Sequence, residues 1–248
     1  GTSQGVPVIG CDCEVCMSKD VRDNRTRSSV HIQFAGLSLQ IDTGPDFRTQ
    51  MLREGLTHVD AVLFTHEHQD HVAGLDDVRP IIFRVRKEMA LYGQQRVLDR
   101  IKKAFDYAFN AQPYPGAPSF TTTSIEAELA FTINGVEVLP LGINHGNLPI
   151  LGYRIGDTAY LTDVNDIPDE AMEQLSGLNY LILDALHRKE HYSHFNLTQA
   201  IEWATKIGAR HTYFIHMSHY MGKHEDVEKE LPEGMQLSFD GLRIPVTI

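Results

Sequence analysis

Apolar and polar positions alternate in two short stretches near the start of the chain. Val30, Ile32 and Phe34 form one, Leu37, Leu39 and Ile41 the other, and Ala35-Gly36 between them completes the pattern of a hairpin. Val59 to Thr65 is a mostly apolar run that predicts a buried strand and delivers the chain into His66-Glu67-His68-Gln69-Asp70-His71. Residues 94–108 place Val97, Leu98, Ile101, Ala104, Phe105 and Ala108 at helical spacing. Asn110 to Thr123, with Pro113, Pro115, Gly116 and Pro118, reads as a loop, either a flap or a connector. In the second half, residues 136–141, 150–155 and 158–162 read as strands, with Gly156-Asp157 turning between the last two. Leu181–Leu183 is a short buried strand, and Thr212–Ile215 is another that ends at His216. Asn196 caps a helix whose Leu197, Ala200, Ile201, Ala204 and Ile207 share one face, with Gln199 as capping-box partner. The opening segment to about Arg27 is rich in Gly, Cys, Asp and Arg and reads as irregular backbone that needs an external brace. Two β-rich halves, each followed by helices, predict an α/β protein with sheets packed on each other and helices outside. No repeat, low-complexity tract or convincing linker divides the chain, so 1–248 is expected to be one domain.

Composition narrows the function classes. The 248 residues are 42% apolar and 22% charged, ordinary for a globular chain with a full core. No apolar run approaches the ~20 residues needed to cross a bilayer, which excludes an integral membrane protein. A formal charge of −11 argues against a general nucleic-acid binder. Three cysteines, all between positions 11 and 16, do not make an extracellular disulfide framework. The opening Gly1-Thr2-Ser3-Gln4-Gly5 has no basic-then-apolar leader, so a cytoplasmic location is expected; without an initiator Met, a preceding stretch stays open. The number that changes the picture is thirteen histidines.

His66, His68, Asp70 and His71 fall in six consecutive residues directly after the buried strand. Imidazole and carboxylate together suit Zn, Mn or Fe, and three or four ligands per ion are the usual requirement. His66 and His68, two apart on extended backbone, project to one side; a helix starting next turns Asp70 and His71 toward a neighbouring ion. Further candidates stand just past apolar runs: His145, Asp163 and His216. Any lone histidine is more often a surface or hydrogen-bonded side chain than a ligand. Four candidates in six residues are hard to explain by packing, because buried imidazoles and carboxylates cost several kcal/mol unless paired. Cys11, Cys13 and Cys16 supply three soft thiolates in one short loop, and closed tetrahedral zinc needs a fourth ligand. The plainer alternatives are free thiols or a redox switch.

The His66-Glu67-His68-Gln69-Asp70-His71 stretch resembles the signature of the metallo-β-lactamase superfamily, and His145, Asp163 and His216 follow in its order and spacing. The resemblance covers nearly the whole chain. It implies a four-layer αβ/βα sandwich of two mixed β-sheets flanked by helices, with a dinuclear site at one sheet edge. By position, His66, His68 and His145 would hold one ion, Asp70, His71 and His216 the other, and Asp163 would bridge. Gly1-Thr2-Ser3-Gln4-Gly5-Val6-Pro7 running into Cys11-Asp12-Cys13-Glu14-Val15-Cys16 is a narrower match. With His194 in Ser193-His194-Phe195-Asn196-Leu197 and the pair His216/His219, it resembles the phosphoribosyl cyclic-phosphate phosphodiesterase group. That resemblance nominates His219 over His31 and His224 as fourth ligand of a structural zinc that clips segment 1–27. It makes His194 a non-ligand catalytic histidine, where the residue alone reads equally as a loop or pre-capping position. Asp42 would brace a ligand loop, or be a plain turn carboxylate.

Two ions ~3.5–4 Å apart acidify a bridging water to hydroxide and neutralise charge on a phosphoryl oxygen. The expectation is therefore a phosphodiesterase for a small, cyclic phosphodiester. Asp70 and Asp163 would orient and help deprotonate the water, and His194 would bind phosphate and protonate the leaving alkoxide. Arg22, Arg25 and Arg27 are read as solvated or paired with Asp20 and Asp23 rather than facing phosphate; Arg188, Lys189, His187 and His191 stay undecided, and Trp203 reads as helix packing. The small phosphodiester is the expected partner, a homodimer is admitted, and membrane and nucleic acid are disfavoured. The rival within the fold is a tRNA 3′-processing endonuclease, for which Arg84 to Lys103 offers seven basic and two acidic residues; that stretch reads instead as an amphipathic helix with a solvated face. A flavin-partnered di-iron oxidoreductase needs a carboxylate where His68 stands, and a secreted β-lactamase needs a leader. A non-catalytic zinc-stabilised binding module is the alternative of a different class.

Overall fold

The buried apolar side chains gather in two large clusters, one in each of two compact units: Ser28–Glu126, and Gly1–Arg27 together with Ala127–Ile248. The structure, a computed structural model, describes residues 1–34, 36–112 and 114–246. Ala35 of the expected turn and Pro113 of the expected loop therefore lie outside the described residues.

In unit Ser28–Glu126, β1 (Val30–Phe34) and β2 (Leu37–Ile41) form the expected antiparallel hairpin, Val30 opposite Ile41. β2 is buried on both faces. Its polar members are satisfied there, Ser38 Oγ donating to the His58 carbonyl at 2.8 Å and Gln40 Nε2 to the Asp42 carbonyl at 2.8 Å. Then follow α1 (Phe47–Glu54), β3 (Ala61–Leu63), α2 (Gln69–Val72), α3 (Arg79–Val85), β4 (Met89–Gly93), α4 (Gln95–Ala104), α5 (Asp106–Phe109) and β5 (Phe120–Ser124). The five strands lie in the order β1-β2-β3-β4-β5, parallel after the first pair. Phe64, Leu75, Leu91, Leu98 and Ile101 are fully buried around Phe47, each contributing ~1.5–3 kcal/mol.

Three expectations are corrected in this unit. The helix expected over 94–108 breaks at Phe105, whose backbone leaves the helical region so that Phe105 and Phe109 both reach the core and Phe109 stacks on Phe120. The loop expected to reach Thr123 ends earlier, because Phe120–Ser124 pairs with Met89–Gly93. The basic stretch Arg84–Lys103 is not one helix; β4 interrupts it, and the bases divide between the end of α3, a turn and α4.

In the other unit, β6 (Phe131–Ile133), β7 (Val136–His145), β8 (Leu148–Ile155), β9 (Thr158–Leu161), α6 (Asp169–Glu173), β10 (Tyr180–Asp184), α7 (Leu197–Ile207), β11 (His211–Ile215), α8 (His224–Glu228) and β12 (Met235–Leu237) follow in turn. The sheet order is β12-β11-β10-β9-β8-β7-β6, parallel from β12 to β9 and antiparallel beyond. α7 begins at the expected capping box, with Asn196 accepting from the Gln199 N–H and Gln199 from the Asn196 N–H, and ends at Gly208 in the left-handed region. Its Leu197, Ala200, Ala204 and Ile207 cover Leu161, Leu181, Leu183 and Phe214 of the sheet, and Trp203 stacks on Phe195. Residues 1–27 stay irregular apart from a 3-10 turn at Val21–Asp23 and an antiparallel bridge between Val6 and Arg25. Among the described residues, no helix is long and apolar enough to cross a membrane.

Candidate metal centres

Three parallel strands, β9, β10 and β11, run side by side and stop together, Leu161 beside Leu183 and Asp184 beside Ile215. Asp163, Asp184 and His216 therefore emerge at one sheet edge. Asp163 and His216 take left-handed backbone, at φ 56° and 55°, an uncommon state for residues other than glycine that collects at functional sites. All three are buried. His216 Nε2 lies 3.2 Å from Asp163 Oδ1, and its Nδ1 is 3.4 Å from Asp184 Oδ1. Asp184 Oδ2 accepts from His194 Nδ1 at 3.1 Å, and the His194 and His216 rings stack at 4.9 Å. His145, ending β7, donates from Nδ1 to the Ser193 carbonyl at 2.8 Å, and its ring is 4.6 Å from that of His194. Donor atoms of His145, Asp163 and His194 converge within 4.8 Å of one another, as do those of Asp184, His194 and His216.

Asp184 is the site residue that sequence reasoning missed. The signal was present: like Asp163 and His216, it stands at the end of an apolar strand, and the parallel order of the strands turns that shared position into proximity.

The second set lies in the other unit. Asp42, fully buried at φ 60°, follows β2 and gathers three donors. Its Oδ1 accepts from the Thr65 N–H at 2.9 Å, and its Oδ2 accepts from the Thr65 hydroxyl at 2.8 Å and from His71 Nδ1 at 2.7 Å. Burial pushes the Asp42 carboxyl above its ordinary range, against the pull of His71 and Thr65. Because the one hydroxyl proton of Thr65 goes to Asp42, Thr65 Oγ1 accepts from His66 Nδ1 at 2.9 Å. His66 Nε2 then meets His68 Nδ1 at 3.0 Å, close to the about 3.3 Å separating two imidazoles on one tetrahedral zinc. The helix α2 begins at Gln69, directly after His68, and sets Asp70 Oδ2 3.4 Å from His71 Nε2. The loop is pinned at its base, where a Cβ on Gly74 would lie 2.1 Å from the Gly44 carbonyl oxygen.

Each of His66, His71 and His145 thus spends its Nδ1 proton on an oxygen, which fixes Nε2 as the lone-pair nitrogen; this is how histidines that ligate metals are held. Carboxylates buried beside such nitrogens carry a desolvation cost that a cation offsets. The donor chemistry fits divalent cations.

The cysteine cluster is self-contained. Cys11, Cys13 and Cys16 place Sγ at 3.3, 3.4 and 3.6 Å from His219 Nδ1, against about 3.6 Å for sulfur and nitrogen on one tetrahedral zinc. The four donors lie within 4.8 Å of one another. His31 instead bonds to Gln40 and Ser38 on the hairpin, and the His224 backbone N–H donates to Asp23. The Cys16 N–H holds the Cys13 thiol down at about 6, whereas burial pushes the Cys16 thiol up to about 11. Around the clip Arg22 and Arg25 pair as expected, while Arg27 donates to the Ser3 carbonyl at 3.2 Å. Arg22 binds Asp20, and buried Arg25 binds Asp23 and donates to the carbonyls of Ser218 and Gly222 at 2.9 Å each. Arg188 pairs with Glu230.

A profile of the beta-lactamase superfamily domain matches residues 39–217, reaching into both units. An octanoyltransferase of Porphyromonas gingivalis is 45% identical over 244 residues, 98% of this chain and 49% of that protein. The chain spans half or less of the length of the curated relatives it matches. The crystal structure of a new diphosphatase from the PhnP family is 43% identical, with a TM-score of 0.93 over 100% of this chain and 95% of that one. Zinc-bound PqqB from Methylobacterium extorquens, 19% identical with a TM-score of 0.82 over 99% and 97% of the two chains, shows the same fold. With two mixed sheets, their helices and this donor order in one sequence, the chain belongs to the beta-lactamase superfamily.

Proposed function

We propose that the chain is a dinuclear metal-dependent phosphodiesterase acting on a small, cyclic phosphodiester. In this reading His66, His68 and His145 hold one cation, Asp70, His71 and His216 hold the other, and Asp163 serves both. Cys11, Cys13, Cys16 and His219 hold a structural zinc. The observation that carries the reading is the Asp184–His194 pair beside Asp163 and His216, since a purely structural metal set has no use for an oriented extra imidazole. Family membership and the likeness to a diphosphatase support a hydrolase of anionic phosphorus–oxygen bonds.

When bound, the cations lower the pKa of a water ligand and offset charge on the phosphoryl oxygens; Zn, Mn and Fe all suit the nitrogen and oxygen donors. The chain's own residues do the rest. Asp42 and Ser193 fix the rings of His71 and His145 through Nδ1. The Thr162 hydroxyl donates to Asp163 Oδ2 at 2.6 Å and aims the other oxygen toward His216. Asp163 and Asp70 orient the attacking water and take up its proton. His194, held by Asp184 at Nδ1, carries a proton on Nε2, donates it first as a hydrogen bond to the phosphate and then to the departing alkoxide oxygen. Such help is worth ~10²–10⁴ in rate.

The test is hydrolysis of bis(p-nitrophenyl) phosphate by the metal-loaded chain, followed by a cyclic ribose phosphate, a 2′,3′-cyclic nucleotide, a diphosphate ester and a precursor tRNA. Metal-dependent turnover with a cyclic phosphodiester as best substrate is expected. Preference for the diphosphate ester or the tRNA replaces the substrate class, and metal binding without turnover leaves only a binding module. The Arg84–Lys103 bases divide among the end of α3, a turn and α4, and Arg96 pairs with Glu67, which weighs against the tRNA reading.

A further inference from the structure

Four rings that the chemistry above does not use lead outward from His194. His191 lies 5.1 Å from His194 between ring centroids, His187 lies 6.0 Å from His191, and Tyr220 lies 6.4 Å from His187. Tyr192 adjoins His191 at 5.0 Å. Two of these rings are large and open: Tyr192 is 82% exposed and Tyr220 is 72% exposed.

They are also held. The Tyr220 ring sits 4.0 Å from the ring of His219, the residue at the cysteine clip, and the Ser218 side chain accepts from the Tyr220 N–H. Tyr192 lies over Gly146, next to His145, where a Cβ would come within 3.3 Å of its Cε2. An exposed aromatic fixed beside a reacting group supplies contact area at little entropic cost.

The chemistry of the two imidazoles narrows the ligand. The Lys189 N–H donates to His187 Nδ1 at 3.2 Å, and the Ser193 N–H donates to His191 Nδ1 at 3.4 Å. Each Nδ1 is therefore occupied as an acceptor, which leaves the ring faces for stacking on a π-system rather than Nδ1 for gripping a second anion. The nearby cation Arg188 is engaged by Glu230 and the Met221 carbonyl. What fits beside the phosphate is a planar, uncharged ring system.

We propose that Tyr220, His187, His191 and Tyr192 form a stacking subsite for a nucleobase, so that the substrate is a nucleotide-bearing phosphodiester whose phosphate meets His194. The inference rests on the phosphodiesterase reading for the position of the phosphate, and its test separates the two. Adenosine 5′-monophosphate and ribose 5-phosphate carry the same sugar and phosphate and differ in the base. Calorimetric titration of the metal-loaded full chain should give the base-bearing ligand an affinity on the order of tenfold higher. Tyr220→Ala and Tyr192→Ala should each remove much of that preference while leaving ribose 5-phosphate binding unchanged, and Tyr220→Phe should retain it. Both tyrosines are exposed, so neither variant threatens folding. Equal affinity for the two ligands, including no measurable binding of either at millimolar concentration, overturns the subsite. An equal loss for both ligands in the variants does the same. Base preference in a chain that cleaves no phosphodiester leaves the subsite standing and removes the phosphodiesterase.

Discussion

Asp184 accepts a hydrogen bond from His194 Nδ1 at 3.1 Å, at a carboxylate with no exposed surface. An Asn there presents an amide that either donates toward His194 or accepts more weakly, so the imidazole loses the hydrogen bond that orients it. Asp184→Asn should lower kcat on an alkyl phosphodiester by about 10²–10⁴-fold. With a p-nitrophenolate leaving group, which departs without a proton, the loss should be much smaller. Steady-state kinetics on the two ester types, with metal content measured alongside, checks this; an equal loss on both removes proton donation by His194 from the mechanism.

Asp42 plays the matching part in the other unit. Replacing it with Ala strands the buried Thr65 N–H and the His71 Nδ1 proton, each costing about 1–3 kcal/mol. Asp42→Asn keeps the left-handed backbone accessible and one acceptor oxygen, so it should fold while weakening metal binding by about 10–100-fold. Chemical denaturation of the Ala variant and chelator competition on the Asn variant measure the two effects separately.

Asp184, not Asp42, marks the limit of what the sequence displays. His66 to His71, His145, Asp163 and His216 stand out because polar ligand types directly follow apolar strands, where solvation alone would not place them. Asp184 follows a strand in the same way, yet a single carboxylate after three apolar residues looks like an ordinary turn. Only the parallel register of β9, β10 and β11 brings it beside His194 and His216. The capping box at Asn196 was legible because its two hydrogen bonds are local. Met89–Gly93 was not, since its apolar positions sit between basic helix ends and are recruited as a strand by pairing with Leu63 and Phe120 neighbours far along the chain. The break of helix α4 at Phe105 has the same origin: tertiary burial of two phenylalanines overrides a continuous helical pattern.

Zinc uptake by the clip should depend on pH. Burial holds the Cys16 thiol protonated up to about 11, so zinc must displace that proton, whereas the Cys13 thiol, at about 6, has already lost its own above that pH. Between pH 7 and pH 9 affinity should therefore rise, by about tenfold or more per pH unit. Competition with a chromophoric chelator at stepped pH reads the slope directly. A flat profile means that Cys16 binds as no thiolate. In Cys16→Ala one zinc per chain should be lost, and segment 1–27 should become the first site of limited proteolysis.

Gly74 tests whether the ligand loop depends on close backbone approach. A Cβ at this position would lie 2.1 Å from the Gly44 carbonyl oxygen and 3.2 Å from Phe47 Cβ, and neither is the far end of a flexible side chain. The backbone around 43–44 and 71–74 must therefore move apart, although the Thr43 N–H donates to the His71 carbonyl and the Gly74 N–H to the Thr43 carbonyl at 2.8 Å each. Loss of those bonds with overpacking should cost about 1–3 kcal/mol in Gly74→Ala. The same movement shifts His71 away from Asp42, so metal affinity should fall together with the denaturation midpoint. Gly93→Ala, where the backbone is not left-handed and a Cβ would make only ordinary contacts, the nearest to Phe64 Cβ at 3.5 Å, is the control for a substitution that requires no backbone movement. If Gly74→Ala loses stability but keeps full metal content, the ligands are positioned by α2 itself and not by the contact at its base.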